Sequence, residues 1–334
     1  MSKDYSLEMD AIAAHLDRGW DLLHQGDLAA ARVSAARILK LNEESPEGLT
    51  LLGAIVAAGG DAEEGLEYVQ QAMELDPEYL DAVLYAAELA IHSLGDLEQG
   101  LRLCDEAAEL VVEAEDRLDL GLMRAEAHLL AGHAEQAARD LDAVEGLPCR
   151  DPAHALRSGR INLDVGRTER AVGLLTGVLG SEVYDADAHY FLAVAVEQLG
   201  RHAEALQHFL EASRLDRQQP SPWELDEREL KQVVRDARDR LPPDLREPLA
   251  PLPVHVLDHP ATELIAEGFD PRGLVFVSGI SGASRPSRDD DATLPTAVFV
   301  YRANLVRAAG RAEVAATVEQ ALRQEAGLLM ASGS

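Results

Sequence analysis

Apolar residues recur along most of the chain at the three- and four-residue spacing of amphipathic helices. In one segment Leu192 and Val196 precede Gly200, and Leu206 and Phe209 follow it. Such a pattern predicts two helices that are joined by a short turn at the glycine. Neither helix can bury its apolar face alone, so we expect successive helix pairs to stack on one another.

The helix pairs repeat at a spacing of about 34 residues, the period of a helical repeat array. A glycine ends the first helix of each pair, at Gly26, Gly60, Gly95, Gly132, Gly166 and Gly200. A small residue follows five positions later, at Ala31, Gly65, Gly100, Ala137, Ala171 and Ala205. The pattern therefore predicts six copies of one structural unit.

This pattern resembles the tetratricopeptide repeat (TPR) family, whose helices cross closely where a small residue lets their backbones approach. The resemblance covers roughly residues 12 to 218 and implies an α-helical TPR superhelix of about six helix pairs. Such an array offers an extended binding surface and no fixed chemistry. The function that it implies is a non-enzymatic adaptor or scaffold for protein–protein interaction.

In the TPR family the first helix of each pair lines a concave groove. The resemblance places these residues there: Trp20, Leu23, Tyr85, Leu89, His92, Leu122, Glu126, Tyr190, Val194 and Glu197. This surface suits a protein or peptide partner with apolar anchors and basic residues. The alternatives are that these side chains pack against neighbouring repeats, or that the C-terminal region folds back over them.

The family members that clamp a C-terminal carboxylate use Lys, Arg and Asn in the groove. Here the groove positions supply only Arg160 and the nearby Asn162. A clamp of that kind is therefore not expected.

The repeat pattern stops after Pro220-Ser221-Pro222, which predicts a boundary between a TPR array, residues 1–220, and a second domain, residues 221–334. The second segment predicts a helix over 225–240, short strands over 254–257, 274–277 and 297–301, and a last helix over 314–330. This order describes a small α+β domain.

The second segment resembles the minimal zincin-like metallopeptidase domain of bacteria. The matching residues are Leu241-Pro242-Pro243-Asp244-Leu245, Val254-His255-Val256-Leu257-Asp258-His259-Pro260 and Tyr301-Arg302. Where that family carries HExxH, this chain reads Gln324-Glu325-Ala326-Gly327-Leu328, so Glu325 alone of the motif survives. Zinc needs both imidazoles. The resemblance thus implies a degenerate domain, a pseudo-metallopeptidase without metal, cofactor or catalytic residue.

One alternative is an active or residual zinc metallopeptidase whose repeats recruit substrates, with Glu325 and either His255 or His259 as unorthodox ligands. Other motifs are weaker. The segment Gly279–Ala283 precedes a loop-forming sequence where a nucleophile elbow requires a helix. The run Asp289–Asp291 lacks the spacing of a calcium loop.

The chain has a formal net charge of −30, and residues 1–220 contribute 42 acids against 17 bases. Nucleic acid and anionic membranes are poor partners for such a surface. Residues 41–120 hold 21 acids and two bases, and many of these acids fall on predicted second helices. They either form a solvated face or steer a basic partner.

The apolar runs fall short of the ~18 residues of a membrane span. The N-terminal residues lack the basic and apolar regions of a signal peptide, so the sequence predicts a cytoplasmic protein. Repeat arrays whose terminal helices are not capped can stack end to end, so self-association is a further alternative.

Overall fold

The computed structural model describes residues 3–278 and 296–332, and the side chains of residues 10–278 and 296–328. It forms two compact units, Met1–Leu174 (unit 1) and Leu175–Ser334 (unit 2). The segments Gly279–Ala283 and Asp289–Asp291 lie outside the described residues. The predicted boundary at residue 220 marks the end of the repeat pattern and stays a prediction.

The described residues of unit 1 form helices that are joined by short turns. Its helices are α1 Lys3–His24, α2 Leu28–Leu41, α3 Pro46–Ala58, α4 Ala62–Leu75, α5 Leu80–Glu88, α6 Leu97–Leu110, α7 Ala114–Leu130, α8 Ala134–Ala143 and α9 Pro152–Asp164, and α10 Thr168–Thr176 runs across the unit boundary. Adjacent helices pack in pairs, of which α1 with α2 and α3 with α4 are the most extensive. The predicted helix pairs are confirmed.

The six aligned glycines end the first helices as predicted. Their φ angles lie between 69° and 103°, a left-handed conformation that a residue with a Cβ rarely adopts. Where aspartate follows the glycine, it caps the second helix. The Oδ1 of Asp27, Asp61 and Asp96 accepts the backbone N–H three residues later at 2.9–3.0 Å.

The third repeat contains one extra residue, since Gly60 and Gly95 are 35 positions apart whereas Gly26 and Gly60 are 34 apart. The backbone absorbs this insertion in a π-helical turn, Leu89–Ser93, which continues α5. The N–H of Asp96 accordingly reaches back six residues to the Ala90 carbonyl, whereas that of Asp61 reaches back five to Val56. Single π turns of this kind often mark functional positions in helices.

The small residues of the repeat lie where paired helices cross. All six are buried: Ala31, Gly65, Gly100, Ala137, Ala171 and Ala205. At the α3–α4 crossing, a Cβ built on Gly65 would lie 2.7 Å from the Gly53 carbonyl oxygen. A Cβ on Gly53 would lie 2.6 Å from the Gly65 carbonyl oxygen. Backbone therefore faces backbone here, and neither helix has room for a side chain.

Unit 2 combines a last helix pair with a small α+β region. Its elements are α11 Asp185–Gln198, α12 His202–Asp216, α13 Glu227–Arg240, α14 Pro243–Leu249, β1 Val254–Leu257, α15 Thr262–Ala266, β2 Val275–Ser278, β3 Ala297–Tyr301, α16 Arg302–Ala308 and α17 Val314–Ser332. The strand order is β1-β3-β2, with β1 parallel and β2 antiparallel to β3. The predicted order of helix, three strands and final helix is confirmed.

The sheet has one helix-covered face and one aromatic face. Val277, Val298 and Val300 are buried against residues of α13 and α17. On the opposite face His255 of β1 stacks on Phe299 of β3, with ring centroids 5.2 Å apart, and Phe299 lies 6.2 Å from Phe276 of β2. Alternating side chains thus separate the core from an aromatic row across all three strands.

A buried carboxylate connects the last helix pair to the α+β region. Asp216 at the end of α12 is 4% exposed. It accepts hydrogen bonds at 2.9 Å and 3.1 Å from Arg272 and also forms an ion pair with Arg307. The Tyr190 hydroxyl donates to Asp270 at 2.9 Å, and the Arg272 guanidinium lies 4.5 Å from the centre of the Tyr190 ring.

Two histidines join α11 and α12. The Nδ1 atoms of His189 and His208 are 2.8 Å apart, so one must carry a proton and the other must accept it. Burial lowers the pKa of His208, and the charge of His189 lowers it further. The pair is therefore suited to a state in which His208 is neutral.

We expect Gly65→Ala to lower the free energy of unfolding by about 1–3 kcal/mol, because the new methyl group must push α3 and α4 apart. Gly173→Ala in α10 is the matched control, since a Cβ there meets no atom within 4 Å. It should be neutral or stabilising by up to ~1 kcal/mol through helix propensity. Denaturant unfolding measures both. Equal effects of the two substitutions would contradict the close crossing.

Unit 2 should lose stability as the pH falls from 7 towards 5. The pKa of His208 is lower in the folded state than the ~6.5 of a free imidazole, so the unfolded state binds more protons in this range. His208→Gln should flatten the dependence of the melting temperature on pH. His202→Gln, at an exposed histidine of the same helix, should leave it unchanged. Identical slopes for wild type and His208→Gln would refute this role.

Candidate functional site

The first helices of unit 1 bring two aromatic side chains together. Trp20 of α1 and Tyr85 of α5 meet edge to face, with ring centroids 6.0 Å apart. These helices belong to the first and third repeats, so the two side chains bridge across the second. Both rings remain partly exposed, and they can therefore contact a partner as well as each other.

A charged cluster continues along the first helices of the third to fifth repeats. Arg157 of α9 donates to Glu126 of α7 at 2.6 Å and 2.9 Å and to Asp119 of α7 at 2.6 Å. His92 in the π-helical turn lies 3.3 Å from the same Glu126 carboxylate. Three repeats thus contribute side chains to one network. We call these residues, with Trp20, Tyr85 and Glu88, the first-helix surface.

The pKa values of three side chains on this surface are shifted by burial and by neighbouring charges. Burial alone would raise the pKa of Glu126, but hydrogen bonds from His92 and Arg157 lower it to about 2. Glu88 keeps contact with solvent, yet desolvation by the surrounding protein raises its pKa, and the charges of His92 and Arg157 only partly oppose this. Burial and the Glu88 charge raise the pKa of Tyr85 to about 12. Among these carboxylates, Glu88 is therefore the one whose negative charge is least balanced by nearby positive charge.

The residues predicted for the groove divide into surface and core. Trp20, Tyr85, His92 and Glu126 belong to the first-helix surface. In contrast, Leu89 is 4% exposed and Leu122 is fully buried. Leu23 is half-buried and packs on the core formed by α1–α3. The predicted positions of Leu89 and Leu122 needed correction, because the face of each helix that carries them packs against its neighbours.

The predicted residues of the last repeat lie in unit 2. Tyr190 is held under Arg272 and bonded to Asp270, so the C-terminal region covers it. Val194 is half-buried and Glu197 is exposed. Tyr190 thus agrees with the alternative in which the C-terminal region folds back over residues predicted for the groove.

Sequence analysis missed Glu88, Asp119 and Arg157. It selected Arg160, which is exposed, and Asn162, which is 1% exposed and donates to the Ser158 carbonyl at 2.8 Å. Arg157 lies one helical turn before Arg160. A comparison of each face of the predicted helix with the acidic residues of the preceding repeat could have identified Arg157 as their partner.

The second helices carry many of the acids, as predicted. Glu63, Glu64, Glu67, Glu106 and Glu109 are exposed, and no ion pair involves them among the described side chains. Asp105 differs, because it pairs with Arg124. The structure is compatible with either interpretation of this acidity.

Glu325 and His255, two residues of the alternative zinc site, lie on opposite sides of the sheet. Glu325 accepts a hydrogen bond from the backbone N–H of Val277 in β2, on the helix-covered side of the sheet. His255 lies on the far edge strand β1 and stacks on the aromatic face. Among the described side chains, those of residues 10–278 and 296–328, no group of three His, Cys, Asp or Glu residues is arranged to hold a metal ion.

Among the helices that the structure describes, none is both long enough and apolar enough to span a bilayer.

Two segments, residues 16–79 and 156–220, match the family model described as tetratricopeptide repeat. No curated protein matches the chain. Among solved structures, pilF of Pseudomonas aeruginosa is 15% identical with a TM-score of 0.52, over 64% of this chain and 95% of that one. TTC0263 of Thermus thermophilus is 23% identical with a TM-score of 0.47, over 55% and 98% of the two chains.

The likeness to pilF shows the fold alone. TPR proteins generally mediate protein–protein interactions and are generally non-enzymatic scaffolds. The glycine turns, the buried small residues and the matches at residues 16–79 and 156–220 together show that this mostly helical chain contains tetratricopeptide repeats.

Proposed function

We propose that the chain is a non-enzymatic adaptor whose first-helix surface binds a peptide segment of a partner protein. The segment carries an apolar anchor that contacts Trp20 and Tyr85, and a basic residue beside Glu88. The observation that supports this most directly is the partly exposed aromatic pair next to an undercompensated carboxylate. Glu88 follows Tyr85 by one helical turn, so one short segment can reach both.

Charge favours a basic segment. Asp119 and Glu126 both pair with the guanidinium of Arg157, whereas Glu88 forms no ion pair among the described side chains and senses that charge only at a distance. A Lys or Arg of the partner would restore the balance in a setting where water is partly excluded, which strengthens the attraction. The aromatic side chains would supply most of the affinity, since Trp and Tyr are frequent anchors of interfaces. The charges would mainly set specificity and association rate.

The same proposal makes the C-terminal region a degenerate zincin-like domain that caps the array or offers a second interaction surface. Two observations support a degenerate zincin-like domain: the order of the motifs in the sequence, and the residues that stand where zinc ligands would be. Gln324 and Leu328 replace the two histidines and are exposed on α17. Glu325 is engaged with the Val277 backbone. The cytoplasmic location expected from the sequence belongs to this proposal as well, and self-association stays an alternative.

Selection from a random peptide library displayed on phage tests the binding surface. The wild-type chain should enrich sequences that pair an aromatic or aliphatic residue with Arg or Lys. Glu88→Lys should abolish the enrichment of basic residues, because it reverses the charge beside the anchor site. For a selected peptide, Tyr85→Ala should weaken binding by about 2 kcal/mol in fluorescence anisotropy, the scale of an interface hot spot.

The matched control is Glu63→Lys, which makes the same charge change on an exposed glutamate of the second helix α4. It should leave the selected sequences unchanged. If Glu63→Lys removes the basic preference while Glu88→Lys and Tyr85→Ala bind normally, the acidic second helices are the binding surface and the assignment to the first helices is wrong.

Metal analysis of the purified protein tests the loss of the peptidase site. We expect less than stoichiometric zinc after exposure to zinc and gel filtration, because two neutral replacements remove most of the binding energy of a zinc site. Glu325→Ala should not change the zinc content. One zinc per chain that disappears in Glu325→Ala would support the active metallopeptidase instead.

A further inference from the structure

Unit 2 contains a cavity of about 980 Å³ that the repeat surface does not explain. One wall is the connecting segment 216–226 between α12 and α13, and the other is formed by residues 257–261 after β1 and by α16. Its volume is near the upper end of the range found for small-molecule sites. Both walls belong to the same compact unit.

Four arginines line this cavity: Arg217, Arg302, Arg307 and Arg311. Two of them are neutralised by carboxylates. Arg302 donates to Asp258 at 2.6 Å and 2.9 Å, and Arg307 pairs with Asp216. The cavity therefore contains two internal ion pairs. Arg217 and Arg311 belong to neither of them.

Arg217 and Arg311 bond only neutral acceptors within the part of the chain that the structure describes. Arg217 donates to the Pro260 carbonyl at 2.5 Å and to Ser213 Oγ at 3.4 Å. Arg311 donates to the Glu224 carbonyl at 2.9 Å. A guanidinium has five N–H donors, so each retains donors that these contacts do not use. Both side chains are exposed and can reach a solute in the cavity.

His259 lies in the cavity wall among charges of both signs. Burial lowers the pKa of this half-buried imidazole and the charges of Arg217 and Arg307 lower it further, whereas a hydrogen bond with Asn304 and the charge of Asp258 oppose them. Glu224, Asp226 and Glu229 also line the cavity, but all three are exposed. The Asp226 carboxylate is used to cap α13 through the N–H groups of Arg228 and Glu229.

The cavity also offers an aromatic wall. The Trp223 indole is half-buried and fixed by its Nε1, which donates to the Val306 carbonyl at 3.1 Å. The Arg311 guanidinium lies 5.6 Å from its ring centre. A planar or apolar group can pack beside this ring while an anionic group meets the arginines.

We propose that this cavity binds a small ligand with a phosphate or carboxylate group, which Arg217 and Arg311 hold next to His259 and Trp223. The shared chemistry is an oxyanion, for which guanidinium donors are well suited. This site is independent of the peptide surface on unit 1. It would allow a small anionic metabolite to bind the segment that follows the repeats.

NMR of the histidine ring protons in the full chain tests the proposal, with His259→Gln identifying the His259 signal. Sodium phosphate and sodium citrate are titrated separately at an ionic strength held constant with chloride. Binding should give a saturable shift of the His259 signal and raise the pKa of His259, because the anion offsets the arginine charges. Saturation by phosphate alone, by citrate alone or by both supports the site and identifies the group that it prefers.

Arg217→Gln and Arg311→Gln should each weaken the saturable binding about tenfold or more, the effect of losing a charge-assisted contact. Neither substitution touches the pairs of Asp216 with Arg272 and Arg307, so the fold should persist and its melting temperature serves as the check. Arg214→Gln is the control, since this exposed arginine of α12 pairs with Glu211 outside the cavity. Shifts that rise linearly with both anions, or saturable binding that is unchanged in both variants, would overturn the proposal.

Discussion

The carboxylate of Asp216 is the constraint on which the arrangement of unit 2 depends. It is almost fully removed from water, and two guanidiniums from distant parts of the sequence neutralise it. A buried charge without its partner costs several kcal/mol. The end of α12, the loop of Arg272 and the helix of Arg307 must therefore adopt their positions together. The connecting segment after α12 is thereby fixed at its first end, and the hydrogen bond from Trp223 to the Val306 carbonyl holds it near the other end.

Much of the fold is encoded in local spacing, and those parts could be predicted. The glycine turns need only a residue that tolerates positive φ at the end of a helix. The buried small residues need only a fixed offset from those glycines. Strands β1 and β3 were also predictable, since each is a short run rich in β-branched and aromatic residues that follows a proline in the sequence. In these elements the neighbouring residues alone determine the structure.

The candidate site was predicted only in part, because its contacts join residues far apart in sequence. Trp20 and Tyr85 were selected for their helix position, yet nothing local indicates that their rings meet across a repeat. Arg157 finds its carboxylates 31 and 38 positions earlier. Leu122 was misplaced because a small error in helical phase turns a side chain from the surface into the core. The inserted residue of the third repeat adds such an error of phase.

The link through Asp216 also limits how this array can change over evolutionary time. Duplication or deletion of a helix pair in unit 1 leaves that carboxylate and its two guanidiniums together. A recombination that replaced α11 and α12 by a foreign repeat would leave Arg272 and Arg307 facing a partner without the acid, and would remove the tyrosine beneath Arg272. We therefore expect the last repeat to be inherited with the α+β region as one module, a constraint that the Asp216 link does not place on the number of preceding repeats.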